Sequence, residues 1–274
     1  MGQPALLVDN FFNTRMYPGH VLSAAEASTD APLVGVGRRS SYDAYNSVTT
    51  NLDAWLKARC GVPRMADMIV VERDHNQGGK TVKVQCCDDD FVSTPQDAFN
   101  SITPSSPGTS SLDDALGVRN WEGAWLKRFS ARAAQDWRYF VGAMGAGLVM
   151  TVPGLWIGLS WRPGFIDRPF GPGIRTLIIQ EVQSDQGWIG RGKGVPRRQG
   201  ILHFSFPSIY DGELALWHLE QYTAPHRMWV VPDDERAEDA FLATVPAEAV
   251  GESINTSKFY PQLDLPYLEA DPDA

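Results

Sequence analysis

Thr81-Val82-Lys83-Val84-Gln85-Cys86 is the stretch that decides the class of fold. Val82, Val84 and Cys86 fall on one face of an extended chain while Thr81, Lys83 and Gln85 fall on the other, the period of two of a half-buried strand. Just upstream, Met68-Ile69-Val70-Val71 is a short aliphatic run, followed by Asp74-His75-Asn76-Gln77 and the turn signal Gly78-Gly79. Downstream, Trp137-Arg138-Tyr139-Phe140-Val141 alternates again, with Trp137, Tyr139 and Val141 facing alike. The stretch from Ser101 to Ser111 is rich in Ser, Thr, Pro and Gly and reads as a surface loop. Strands spaced this way and punctuated by Gly and Pro predict an antiparallel sandwich.

A second block of punctuation, Trp161-Arg162-Pro163-Gly164 through Pro169-Phe170-Gly171-Pro172-Gly173, reads as a linker and places a domain boundary near Leu159. Beyond it, Thr176 to Val182 and Ile201 to Phe206 read as two strands of a hairpin with a long glycine-rich connection, Ser184 to Gly200. Ser208-Ile209-Tyr210-Asp211 resembles a capping box, and Ala215, Leu219 and Tyr222 recur at helical spacing, so one helix is expected over Glu213 to Tyr222. Met228 to Pro232 and Tyr260 to Tyr267 return as strands. The expected fold class is therefore all-β, in two domains, 1–159 and 160–274, the second a small sandwich with one packed helix and a long hairpin arm.

The chain has 274 residues, 43% of them hydrophobic and 21% charged, enough for a proper core. Lys and Arg number 24 against 33 Asp and Glu, a formal net charge of −9 that argues against wrapping nucleic acid over a broad surface. The N-terminus lacks the pattern of a secretory signal, and no run approaches the roughly 20 apolar residues of a membrane span, so no membrane insertion is expected. Three cysteines, Cys60, Cys86 and Cys87, make no disulfide framework.

Chemical motifs are few. Gly187-Trp188-Ile189-Gly190-Arg191-Gly192-Lys193-Gly194 fits G-x-x-x-x-G-K, yet Gly194 stands where a hydroxyl should hold Mg²⁺, and Pro196, Arg197 and Arg198 do not start a helix. It reads instead as a basic loop at a hairpin tip, with Trp188, Arg191, Lys193, Arg197 and Arg198 as an inter-subunit arm for an acidic neighbour. Cys86 and Cys87 point to opposite faces of a strand, which argues against a shared metal, and Cys86 reads as a small buried hydrophobe. The five histidines form no catalytic pattern, and Glu72 and Asp74, a carboxylate pair beside His75, read as solvated at a turn. No catalytic, cofactor or metal site is expected, and the chain is read as no enzyme.

Asp53-Ala54-Trp55-Leu56-Lys57-Ala58-Arg59-Cys60-Gly61, the aliphatic run at Ile69, the strand at Val82 and the turn Asp88-Asp89-Asp90 resemble, in order, the galactose-binding-like jelly roll of discoidin domains. Ala134 to Val141 followed by Gly154-Leu155-Trp156-Ile157-Gly158 resembles the closing strands of that family, so the resemblance covers about residues 5 to 159. The second half resembles, by element order, the β-domain of phage tail-tube and distal tail proteins. Together these resemblances imply a structural component of a siphophage tail tip or baseplate, assembled in the host cytoplasm into the virion tail. Its implied partners are copies of itself in a ring, a hexamer or a trimer, other tail, hub or baseplate proteins, and host-surface carbohydrate. The jelly roll would offer loop residues of suitable chemistry for a sugar: Arg38, Tyr42, Tyr45, His75, Asn76 and Trp121. Local packing is the competing reading for Tyr42 and Tyr45. The alternative function is a soluble carbohydrate-binding protein with an accessory β-domain.

Overall fold

In the computed structural model the described residues are 4–25, 45–47, 53–72, 75–99, 124–142, 149–162, 165–166, 175–178, 181–183, 189–191, 195–206, 208, 210, 213, 227–232, 240–245 and 262–270. In chain order the strands among them begin with β1 (Ala5–Leu7), β2 (Val21–Ala24), β3 (Tyr45–Asn46), β4 (Ala54–Val71), β5 (Val82–Cys87) and β6 (Gln96–Asp97). Then come β7 (Trp125–Val141), β8 (Thr151–Val152), β9 (Leu155–Gly158), β10 (Phe165–Ile166), β11 (Arg175–Ile178) and β12 (Glu181–Gln183). The last are β13 (Ile189–Arg191), β14 (Val195–Ser205), β15 (Arg227–Val231), β16 (Phe241–Thr244) and β17 (Gln262–Glu269). The all-β class expected from the alternation is the class observed. Of the helix expected over Glu213 to Tyr222, only Glu213 lies among the described residues, and it is helical.

Two large antiparallel sheets organise the chain. The first runs β2-β4-β7-β5-β6, with β9 also paired to β4; the second runs β1-β15-β16-β17-β14-β10, with β11 on β14. The expected strands at 81–86 and 137–141 are there, but the latter is only the end of the 17-residue β7, and Met68 to Val71 is only the end of the 18-residue β4. These two long strands pair along almost their whole length, interrupted where Arg59 opposes Asp136 and Arg64 already opposes Ala134. The surplus residues of β4 bulge out at Cys60-Gly61-Val62-Pro63, with Gly61 at φ 73°, a left-handed conformation that glycine adopts without strain.

The second sheet borrows from the first half of the chain. β1 pairs with β15, Leu6 opposite Val230, and the bridge Leu6–Trp161 fixes the chain where it leaves β9. The core beneath this sheet joins Leu6, Leu7, Met68, Val70 and Trp156 to Phe204, Trp229, Phe241 and Leu265. A second core, on the other face of β4 and β7, contains Phe11, Phe12, Tyr45, Leu56, Ile69, Val84, Trp137 and Tyr139. Strand β9 is therefore buried on both faces, and its flanking glycines are places of close approach. A Cβ on Gly158 would lie 2.4 Å from the Asp9 carbonyl oxygen, and one on Gly154 would lie 2.3 Å from the Glu72 carboxyl carbon.

Asp67 ties the two sheets together. It sits at the second register shift of β4, between Ala66 and Met68. Its carboxylate accepts from Ser160 N (2.7 Å), Ser160 Oγ (2.8 Å) and Arg162 Nη2 (3.2 Å), in the segment that passes from β9 toward the second sheet. Burial is the leading influence on its carboxyl and pushes it above the ordinary range.

In the Ser184 to Gly200 stretch, expected to be a loop, the described residues 189–191 and 195–200 are strand. β11 pairs with residues 195–198 of β14, and β12 pairs with β13, so the chain doubles back as a two-stranded ribbon. Residues 199–205 of β14 then enter the second sheet beside β17.

Candidate functional site

Of the residues expected to contact a sugar, the three described ones do not gather at one exposed place. Tyr45 is 0% exposed, opposite Val152 in the β3–β8 pair, so local packing accounts for it and a sugar ring has no access. His75 is 2% exposed, its Nδ1 accepting from Gln77 N at 3.3 Å. Asn76 is exposed, but its amide is spent on the backbone: Nδ2 donates to Val149 O and Oδ1 accepts from Thr151 N. Arg38, Tyr42 and Trp121 lie outside the described residues.

Of the expected arm, Trp188 and Lys193 also lie outside the described residues, while Arg191 falls in β13 and Arg197 and Arg198 in β14. Arg198 is engaged by its own molecule. Its N–H donates to Glu269 Oε2 at 2.7 Å, and its guanidinium lies 4.9 Å from the Phe241 ring centroid. Glu72, expected to be solvated, is instead buried and accepts from Trp156 Nε1 at 3.1 Å. The reason is its place at the end of β4, against Gly154 and the doubly buried β9.

A different surface assembles polar and aromatic groups. Ala54, Leu56, Ala58 and Cys60 of β4 face the core, so Trp55, Lys57 and Arg59 face the other way. The register sets Trp55 beside Phe140 beside Lys83, then Lys57 beside Arg138 beside Gln85, then Arg59 beside Asp136 beside Cys87. On this same side of the sheet, the far end of β4 presents Met68 and Val70 to the second sheet's core. The second sheet thus covers one half of this face and leaves the half around Arg138 partly exposed.

The uncovered half is rigidly wired. Arg138 donates from Nε (3.0 Å) and Nη2 (2.6 Å) to Gln85 Oε1, and Gln85 Nε2 donates to Asp97 Oδ1 at 2.8 Å. Lys83 pairs with Asp97 at 3.3 Å, and Lys57 and Arg59 both pair with Asp90. Each ring on the face has a cation near it: Lys57 by Trp55, Lys83 by Phe140, and Arg138 at 4.2 Å from the Phe91 centroid. The hydrogen bond and charge of Lys57 hold the Asp90 carboxyl below the ordinary range. Burial pulls the Arg138 guanidinium down.

Backbone strain marks the same place. Asp90 and Phe91 carry φ of 60° and 63°, consecutive left-handed residues, and for a bulky aromatic that conformation costs roughly 1 kcal/mol or more. Three contacts impose it: Asp90 N donates to Asp136 Oδ2, Phe91 N donates to Cys87 Sγ, and Arg138 packs on the Phe91 ring. The result lays an aromatic ring over the outer face of β5 and β7. The described residues hold no group of side chains suited to a metal.

No protein-family model matches the sequence, and no curated protein matches it. Among solved structures, part of the chain is similar to a Ruminococcus gnavus GH29 fucosidase in complex with fucose. That match has a TM-score of 0.43 at 12% identity over 56% of this chain and 27% of the fucosidase. Part is similar to chitosan-binding module 1 from a Paenibacillus chitosanase/glucanase, with a TM-score of 0.42 at 11% identity over 54% of this chain and 98% of the module. Part is similar to a family 32 carbohydrate-binding module from Clostridium perfringens in complex with galactose, with a TM-score of 0.38 at 11% identity over 50% and 92%. At these scores the overlaps decide neither ligand nor activity for this chain.

Proposed function

We propose that this chain is a non-catalytic binding protein that takes carbohydrate on the uncovered half of the β4–β7–β5 face. One observation carries the proposal: Trp55 and Phe140, partly exposed cross-strand neighbours, are surrounded by side chains already fixed by hydrogen bonds and ion pairs. Sugar rings offer apolar C–H faces to aromatic rings and a rim of hydroxyls to oriented donors and acceptors, and this surface supplies both. A frame that is fixed before binding reduces the entropy lost on association.

The test is affinity electrophoresis through gels containing soluble polysaccharides, run on the wild-type chain and on Trp55→Ala and Phe140→Ala. Retardation that disappears in both variants, with unchanged circular dichroism, is the expected result. Migration of the wild type unaffected by every polysaccharide, or retardation that both variants keep, overturns the proposal.

A second reading is a subunit of a tailed-phage virion that assembles with copies of itself, and the ribbon bears on the self-assembly alone. Strands β12 and β13 ladder with each other and with no other described strand. Residues 175–198 hold five Lys and Arg (Arg175, Arg191, Lys193, Arg197, Arg198) against Glu181 and Asp185, a balance of +3 in a chain of −9, leaving −12 on the remainder. A basic segment whose β12–β13 ladder meets no other described strand is suited to pairing with an acidic neighbouring copy. Light scattering on the purified chain decides this reading: a closed oligomer supports it, and a monomer at all concentrations removes it.

A further inference from the structure

We infer that the uncovered face selects an acidic saccharide, one carrying a carboxylate or sulfate, which it engages through Arg138. The inference rests on the carbohydrate proposal above and narrows it to a class of ligand.

Three cations of this face are neutralised by carboxylates. Lys57 has Asp90, Arg59 has Asp90 and Asp136, and Lys83 has Asp97. Arg138 is the exception. Its hydrogen bonds go to Gln85 Oε1, an uncharged amide, and its other packed neighbour is the ring of Phe91. Gln85 Nε2 donates in turn to Asp97, so the hydrogen-bonded path from Arg138 to Asp97 runs through a neutral amide, and Asp97 acts on the guanidinium from longer range, without a direct ion pair. A guanidinium in this setting keeps its full charge while having lost part of its hydration, and burial works against it.

Geometry completes the case. Nε and Nη2 converge on one oxygen, which leaves Nη1 and the second Nη2 hydrogen for a further acceptor. A carboxylate or sulfate matches that remaining fork, and hydrogen bonds between ions are about twice as strong as neutral ones. Arg138 and Phe140 are two residues apart on the same face of β7, a separation of roughly 7 Å along the strand. That distance allows a sugar ring on Phe140 and Trp55 to carry its acidic substituent to Arg138. The net charge of −9 repels polyanions from the molecule as a whole, so acidic ligands gain here only where the local arrangement favours them.

The experiment measures binding of the full chain by calorimetry at physiological salt to three polysaccharide probes, polygalacturonate, dextran sulfate and neutral galactan, and to polyphosphate as a bare anion. Three variants accompany the wild type, Trp55→Ala from the test above and two new ones. Arg138→Gln removes the charge, and Gln85→Glu hands Arg138 a carboxylate of its own while preserving side-chain length. The expected result is binding to polygalacturonate or dextran sulfate, weakened about tenfold or more by each variant, with Trp55→Ala also abolishing it. Whichever of the two acidic probes binds tighter identifies the anion. Equal affinity for galactan, untouched by Arg138→Gln and Gln85→Glu, overturns the acidic selectivity and leaves the carbohydrate proposal standing. Absence of binding to all three probes removes both. Polyphosphate bound as tightly as either acidic polysaccharide, with Trp55→Ala unaffected, overturns the saccharide in favour of a bare anion.

Discussion

Strand β4 is one continuous strand living in two environments. Its first seven residues, Ala54 to Cys60, alternate buried and exposed, and its last six, Ala66 to Val71, are buried without exception. The difference is not in the core below, which both halves share through Leu56, Ala58, Ile69 and Val71. It lies above, where the second sheet covers Met68 and Val70 and stops short of Trp55 and Lys57. A sheet covered on one side requires polar residues on the other, whereas a strand between two layers becomes a continuous apolar run. The bulge at Cys60 to Pro63 is where one regime gives way to the other. The partly exposed cluster of rings and ion pairs on this side lies at the end the second sheet leaves open.

The widest gap between the two halves is in stability. Met68→Ala deletes a fully buried side chain from the covered half and is expected to cost 2–5 kcal/mol, of the order of buried large-to-small changes. Trp55→Ala, on the partly exposed half, is expected to cost about 1 kcal/mol or less. Urea unfolding of both variants measures the contrast directly. Equal losses would mean that the outer half is also packed against something, and the comparison would fail.

Carboxylates on the two sides respond to pH in opposite directions. Asp9 sits against Gly158 on the covered side, where burial raises its carboxyl from 3.8 to about 6 despite the hydrogen bond it accepts from Tyr17 Oη at 2.5 Å. Leu159 N also donates to its carboxylate at 3.5 Å, and Arg64, 4.7 Å from the Tyr17 ring centroid, adds a favourable charge, while His20 stacks on that same ring. A carboxyl raised on folding stabilises the fold most below pH 4, and that contribution is lost as pH rises from about 4 to 6. The span of 6 against 3.8 sets a ceiling of about 3 kcal/mol, which the residual exposure of Asp9 lowers. His20, lowered by burial, works the other way: it costs stability as pH falls below 6.5, and it is common to wild type and variant. Relative to Asp9→Asn, the wild type should therefore gain stability between pH 6 and pH 4. Asp90, held low by Lys57, should show the reverse sense against its own asparagine variant. Parallel slopes for the two pairs would break the comparison.

Much of the fold was legible because period-two alternation is local. Val82-Val84-Cys86 and Trp137-Tyr139-Val141 announce strands, and both face the same core. What was not legible is length and coverage. Gly61 and Pro63 look like the end of a strand, yet the chain passes through them as a bulge and continues to Val71. The run Met68 to Val71 states that both faces are buried but not by what, since its cover comes from β1 and residues beyond 200. The sugar-site expectation looked to loops, where Tyr45 and His75 turned out to be core because of pairings and packing no local pattern encodes. The signal that was available is Phe140, an aromatic on the polar side of the alternation two residues from Arg138. Register then brought Trp55, Lys83 and Gln85 alongside.

The smallest expected effect on stability separates strain from packing on the uncovered half. Phe91 holds φ 63° and gives its ring to Arg138. Phe91→Gly removes both at once, because glycine adopts the left-handed conformation freely and carries no ring. Relief of backbone strain is worth about 1 kcal/mol, and loss of a partly exposed cation–π contact costs about 0.5–1 kcal/mol. The two nearly cancel, so the unfolding midpoint should move by no more than the error of the measurement. Binding to the acidic polysaccharides should nonetheless weaken, because Arg138 loses the surface that fixes its plane while keeping its charge and its bonds to Gln85. A residue held in a strained conformation purely by accident of folding would show the stability balance without the binding loss. A residue strained in order to orient Arg138 shows both, and Phe91→Ala, which keeps the strain and loses the ring, should be destabilised while binding no better than the glycine variant.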